Sequence, residues 1–264
     1  MMRWYVKKAA RAGLALSAWG TRLGRRPRHG SVRVLTYHDF GDRPRDPFCV
    51  HPDVFEAQMG WLAAEGVAVS LSQVERCRAG AATLPEGAVL VTIDDGLESL
   101  HAKALPILRS HRIPAVAFVT ASDAERHLSW EKLREIAAAG IVVGSHSWTH
   151  RSLGRLTPRE ARDEVTRSRE HLERHLGRSV TAFAYPYGTY ADYDAVSARI
   201  LREAGYVCAF TSQHGAVRPG ADPFALPRVK VEGGESLWLF KLICRGALDG
   251  WRVVDRTLWR LQAT

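Results

Sequence analysis

Asp94 and Asp95 are adjacent carboxylates that follow the apolar run Val89–Leu90–Val91–Thr92–Ile93 within AVLVTIDDG. Neighbouring carboxylates repel unless a cation or a proton lies between them, so the pair reads as one wall of a metal site. A second segment, IVVGSHSWTH, supplies His146 and His150 directly after another apolar run. On one helical turn their four-residue spacing would set both rings on the same face, where they can share an ion. Two imidazoles and one carboxylate leave coordination positions open, the arrangement of a catalytic rather than a structural centre. A divalent ion, Zn2+ first with Co2+ or Ni2+ as alternatives, suits such donors and would lower the pKa of its water towards neutrality. His171 and His175 repeat the spacing in REHLERHLGR, a charged helix with no strand or acidic pair leading into it, and read as surface residues.

A third apolar run, VTAFAYPYG from Val180 to Gly188, ends in a Pro and Gly turn that brings Tyr185, Pro186 and Tyr187 to a strand end. Ligands of α/β folds gather at the carboxyl ends of strands, so three such ends converge on one rim.

The elements that position these groups alternate. Strands are expected at Val32–Tyr37, Val67–Leu71, Val89–Ile93, Ala115–Thr120, Ile141–Val143, Val180–Ala184, Tyr206–Thr211 and Ala225–Val231. Helices are expected at Asp53–Glu65, Glu98–Arg109, Ser129–Ala139, Pro158–Leu176 and Asp192–Ala204. This βα alternation implies a parallel sheet, and seven or eight strands suit a barrel. With 264 residues, 46% of them hydrophobic, the chain is long enough for one large domain. Cys49, Cys77, Cys208 and Cys244 have neither metal nor redox spacing and read as buried free thiols.

The segments taken together resemble the polysaccharide deacetylases with the NodB homology domain, carbohydrate esterase family 4. The family's TFDDG motif stands here as Thr92-Ile93-Asp94-Asp95-Gly96, and its H-S/T-x-x-H motif as His146-Ser147-Trp148-Thr149-His150. Its R-x-P-Y-G motif stands in altered form as Ala184-Tyr185-Pro186-Tyr187-Gly188. The opening segments LTYHDF and VHPDVFEAQMGWLAAEGVAVSLSQV are similar to the branch that deacetylates poly-N-acetylglucosamine. The resemblance covers residues 31–233 and implies an α/β fold, a single catalytic domain built as a distorted (β/α)7 TIM-like barrel. It further implies that Asp95, His146 and His150 hold the metal, that Asp94 is the general base, and that the Tyr187 backbone N–H stabilises the oxyanion. With a glycan as substrate, Tyr185, Tyr187, Trp148 and Tyr190 become candidates for stacking on a pyranose ring, with Pro186 beside them. Phe118, Phe183, Phe210 and Phe224 sit within strand patterns and read as core.

Two departures from the family pattern carry expectations of their own. Ala184 stands where the family has the Arg that orients the catalytic aspartate, and Arg228, in Leu226-Pro227-Arg228, is the candidate replacement through a pair with Asp94. The family's late His, which protonates the leaving amine, has no counterpart, and His38 at the end of the first strand is the candidate acid. A structural histidine tying down that strand is the competing reading.

The ends of the chain differ from the domain. Residues 1–30 carry eight Lys or Arg and no acid, eight of the nine net positive charges. With so little charge left over the domain, nucleic acid is not an expected partner. The arm interleaves those charges with Trp4, Tyr5, Val6, Leu14, Leu16, Trp19 and Leu23, the composition of a helix lying on an anionic membrane surface. Its apolar stretch is short for a signal peptide and lacks a small-residue cleavage site, so a peripheral anchor at the cell envelope is the expectation. Residues 234–264, again rich in Trp, form an amphipathic extension that either packs on the barrel or makes a second membrane contact. The expected activity is metal-dependent removal of N-acetyl groups from the aminosugars of a polysaccharide. A deacylase or deformylase of a lipid-carrier-linked aminosugar and an inactive carbohydrate-binding relative are the alternatives, and the oligomeric state is left open.

Overall fold

In the computed structural model, residues 30–255 and Gly13 are described. The N-terminal arm, apart from Gly13 and Gly30, and the last nine residues lie outside that span, and with them the expected membrane-surface helix. Seven parallel strands form the main sheet: β1 (Arg33–Tyr37), β4 (Val89–Ile93), β5 (Ala115–Val119), β6 (Val142–Ser145), β7 (Ala182–Ala184), β8 (Cys208–Phe210) and β9 (Val229–Lys230). Two short strands, β2 (Asp39–Phe40) and β3 (Cys49–Val50), pair beside it in the loop after β1. The order β8-β7-β6-β5-β4-β1-β9 curls until its ends meet. β9 lies against β1, while Leu226, three residues earlier, bridges to Phe210 of β8. This is the distorted (β/α)7 barrel, in one domain.

Both faces of the sheet are buried, as the continuous apolar strands require. Alternate residues separate two cores. Val34, Leu90, Val116, Phe118, Ala182, Ala184 and Phe210 pack together on one face, and Leu35, Val91, Ala117, Val119, Val143 and Phe183 face the helices. Phe224, in a turn, joins the helix-side core, so Phe118, Phe183, Phe210 and Phe224 are all buried. The four cysteines are free and buried.

The long polar helix spans Pro158–Leu176, as its sequence signals. Thr157 and Glu160 form a reciprocal capping box, Pro158 occupies the first turn, and Gly177 closes the helix in the left-handed conformation. Another expectation is corrected. Val67–Leu71 is not a barrel strand. It makes one bridge, Ala68 to Val89, before Ser70 caps the helix Leu71–Arg78. Glu98–Arg109 is helical throughout, as expected, with a π-helical turn at Leu100–Ala104. Beyond the barrel, the helix Leu237–Cys244 buries Phe240, Leu242, Ile243 and Cys244, with Phe240 edge-on to Trp61 at 5.8 Å. None of the helices among the described residues is long and apolar enough to cross a membrane.

Candidate metal and active site

The carboxyl ends of β4, β6 and β7 open on one mouth. Asp94 and Asp95 follow β4 directly, and their neighbour Gly96 takes a positive φ with its missing Cβ 3.0 Å from Val119, so a side chain there would crowd β5. Asp95 Oδ1 lies 3.6 Å from His146 Nε2 and 3.6 Å from His150 Nε2. The three ligand atoms lie within 4.8 Å of one another, the one such group of three or more among the described residues. Donors on a tetrahedral ion with bonds near 2.0–2.1 Å stand about 3.3 Å apart, so the two 3.6 Å separations from Asp95 need little contraction to close on one.

The protonation states also fit a divalent ion. His146 is buried and its Nδ1 lies 2.8 Å from the Ala184 carbonyl oxygen, to which it donates. That bond leaves the Nε2 lone pair facing Asp95, the second-shell device common at metal-bound histidines. Burial lowers the pKa of both His146 and His150, favouring the neutral rings that ligate. Burial, reinforced by the charge of Asp94, raises the Asp95 carboxyl against the pull of His146. The residues present therefore form a possible divalent-metal site.

The histidines do not sit on a helical turn. They are brought together by a tight loop in which Ser147 (φ 66°) and His150 (φ 61°) take the left-handed conformation. Asp95 (φ 72°) and Tyr187 (φ 62°) do the same, so four of the five positive-φ residues other than glycine among the described residues line this mouth. Such conformations cost about 1–3 kcal/mol each and persist where surrounding contacts over-determine them.

Asp94 is buried and clamped. Arg228 donates to Oδ1 from one terminal nitrogen and to Oδ2 from the other, each at 2.7 Å. Its Nε donates to the Thr211 carbonyl at 3.0 Å, and the guanidinium lies over the Phe118 ring at 5.6 Å. Burial alone would raise the Asp94 carboxyl. The Arg228 charge, His146 and the paired bonds outweigh it and hold the group at about 2. Arg228 sits in the segment that closes the barrel and reaches Asp94 from across the mouth.

His38 follows β1, its ring edge-on to Phe48 at 4.8 Å, and its Nδ1 is buried without a hydrogen-bond partner. Burial, joined by Lys230, Arg228 and His146, outweighs the attraction of Asp94 and lowers its pKa to about 3. That direction favours the neutral ring, which fits the structural reading of His38 better than the role of acid.

Tyr185 is corrected from a sugar platform to a core residue. Its hydroxyl donates to the Phe224 carbonyl at 3.0 Å and its ring stacks on Tyr193, because strand alternation turns it towards the helices. Trp148 leans on the long helix, beneath the Arg167 guanidinium at 4.7 Å and beside His171. Pro186 is buried in the turn, whereas Tyr187 is 61% exposed with its ring 4.9 Å from His150, and Tyr190 is 41% exposed. The hydrogen bonds Gly188 N–H to Pro186, Ser212 N–H to Gly188 and Ser212 hydroxyl to Tyr187 fix this turn, and none uses the Tyr187 N–H. His171 and His175 are half-exposed on the long helix, with His175 stacked on Trp130 at 3.9 Å.

The sequence reading passed over Glu164, on the inner face of the long helix, whose carboxylate bonds the loop between the two histidines. A buried position on an otherwise charged helix, on the stripe of Ala161, Val165, Ser168 and Leu172, was the available signal.

Residues 81–209 match the family model described as Polysaccharide deacetylase. That span, just under half of the chain, resembles the polysaccharide deacetylase family. Polysaccharide deacetylases are hydrolases of carbon–nitrogen bonds in linear amides, and that is the activity the matches point to. The chain is 29% identical over 208 residues to YxkH of Bacillus subtilis (strain 168), a polysaccharide deacetylase by name, covering 77% of this chain and 72% of that protein. It is 24% identical over 257 residues to the poly-beta-1,6-N-acetyl-D-glucosamine N-deacetylase of Escherichia coli (strain K12). That match covers 79% of this chain but only 38% of the longer relative. Among solved structures, IcaB from Ammonifex degensii superposes with a TM-score of 0.71 at 28% identity, covering 82% of this chain and 97% of that one.

Proposed function

We propose that this protein removes N-acetyl groups from β-linked N-acetylglucosamine polymers by divalent-metal-assisted hydrolysis. The observation that carries the reading is the donor trio Asp95, His146 and His150 set beside a buried, clamped Asp94. The N-deacetylase relatives support the substrate class. Asp95, His146 and His150 would hold the ion, with Zn2+ favoured by two imidazoles and one carboxylate. When bound, such an ion polarises the amide carbonyl and acidifies water.

The residues of this chain do the rest. Asp94 stays ionised under the Arg228 clamp and accepts the proton of the attacking water. With His38 neutral, the same carboxyl returns that proton to the departing amine. The Tyr187 N–H, presented by a left-handed turn, donates to the developing oxyanion. The exposed ring of Tyr187 offers the sugar an apolar face beside His150. The basic, Trp-bearing N-terminal arm supports placement at the cell envelope as a peripheral membrane protein.

The test is acetate release from N-acetylglucosamine oligomers by metal-stripped protein, before and after reloading with Zn2+ or Co2+, alongside Asp94→Asn and His38→Ala. The expected result is metal-dependent release that Asp94→Asn abolishes and His38→Ala largely keeps. Release only from a lipid-linked aminosugar would move the substrate, and no release from either would overturn the enzymatic reading.

A further inference from the structure

We infer that Glu164 is the positioning residue of the metal-ligand loop: its buried carboxylate holds His146 and His150 in the shape that binds the ion. The inference rests on the metal-site reading above.

The loop is strained backbone, since two of its five residues, Ser147 and His150, are left-handed without being glycine. Left alone, it would relax to ordinary dihedrals and swing the two imidazoles apart. Glu164 is 5% exposed and meets the loop at its apex. Its Oε2 accepts from the Trp148 N–H at 3.0 Å and the Thr149 N–H at 2.8 Å, while Oε1 accepts from the Thr149 hydroxyl at 2.5 Å. Two successive N–H groups converging on one oxygen are characteristic of an anion-binding turn, and here the anion is supplied from a helix. That helix is itself docked on β6, where the Ser145 hydroxyl donates to Ser168 Oγ at 2.8 Å, one helical turn beyond Glu164.

On the other side the loop is held by backbone alone, with the Ala121 N–H bonded to the Ser147 carbonyl and the Ser122 N–H to the Trp148 carbonyl. Inside it, the His150 N–H donates to Ser147 Oγ at 2.9 Å. Three charge-assisted bonds to one carboxylate are the strongest of these ties. A carboxylate serves all three because every lone pair accepts. An amide in its place could keep the two N–H bonds on its oxygen, but it would have to donate to the Thr149 hydroxyl instead of accepting from it. Glutamine should therefore rescue in part and alanine not at all.

The experiment is a competition titration of Zn2+ and a Co2+ visible spectrum on wild type, His146→Ala, Glu164→Ala, Glu164→Gln and Thr149→Val, with melting temperatures of the metal-free proteins. Wild type should bind one equivalent and His146→Ala should lose it. If wild type shows no such site, or His146→Ala binds as tightly, the metal-site reading falls. With that site established, Glu164→Ala should bind the metal about 10–100-fold more weakly, with an altered Co2+ spectrum. Glu164→Gln should fall between it and wild type. Thr149→Val, which removes one bond and leaves the carboxylate in place, serves as the milder variant if Glu164→Ala does not fold, and it should weaken binding severalfold. Wild-type affinity and spectrum in a folded Glu164→Ala, or in Thr149→Val if Glu164→Ala does not fold, would overturn the inference. So would losses in melting temperature unaccompanied by any change at the metal.

Discussion

Arg228 meets Asp94 through two parallel bonds, a fork that arginine forms and lysine cannot. Removing the arginine leaves a buried carboxylate uncompensated, so Arg228→Ala should cost about 3–5 kcal/mol in urea unfolding. Arg228→Lys should recover part of that stability while lowering kcat at nearly unchanged KM, because the charge returns without the orientation. Stability equal to wild type in Arg228→Ala would show the pair to be solvated. Residue types together with the apolar runs before them marked Asp94, Asp95, His146 and His150, since His171 and His175 have the same spacing without such a run. Ala184 in the third motif showed that an arginine had to come from elsewhere, and Arg228 was a candidate. The separation of 134 positions from Asp94 gave no means of measuring the contact. Tyr185 misled for a local reason. One position earlier or later in a strand reverses the face, and the step from the inward Ala184 turns Tyr185 into the helix-side core.

Among elements, the helix Pro158–Leu176 was legible to the residue because its end signals are covalent neighbours: Thr157, Pro158, Glu160 and Gly177. Most strands were longer in expectation than in the barrel, since apolar runs continue past the last ladder bond into buried loops, whereas Val89–Ile93 matched and Val142–Ser145 runs two residues past the expected end. The His146–His150 loop was the least legible, as nothing in HSWTH announces two left-handed residues. The Glu160 carboxyl is held at about 2 by the Thr157 N–H, then the Thr157 hydroxyl, then Arg151. Its folded pKa lies below its unfolded value, so its contribution is present above about pH 4.5 and is lost as pH falls towards 2. Glu160→Gln should therefore be less stable than wild type at pH 7, and the difference should fade between pH 5 and pH 2 in thermal melts. A pH-independent difference would assign the effect to packing instead of the cap.

Across the whole molecule, the barrel is closed by a segment that is barely a strand. Leu226 touches β8, Val229 and Lys230 touch β1, and Arg228 between them looks into the mouth. Closure and active-site assembly are thus one event, which ties catalytic competence to the C-terminal part of the chain. The extension that follows reinforces it. The Arg33 side chain at the start of β1 pairs with Asp249 at 2.7 Å, and the helix Leu237–Cys244 lies on the helix Pro52–Glu65 through Phe240 and Trp61. Of the two readings open for this extension, packing on the barrel accounts for its buried face, while Trp238, 49% exposed, is left on the outside. The two tryptophan and phenylalanine positions therefore separate by experiment. Phe240→Ala opens a cavity in a closed core and should cost about 3–5 kcal/mol, with the loss of activity tracking the loss of folded protein. Trp238→Ala should change stability by less than about 0.5 kcal/mol. If the outward tryptophan meets a membrane, that substitution should weaken sedimentation with anionic phosphatidylglycerol vesicles while deacetylation of soluble oligomers stays at the wild-type rate. Unchanged sedimentation would confine membrane contact to the N-terminal arm.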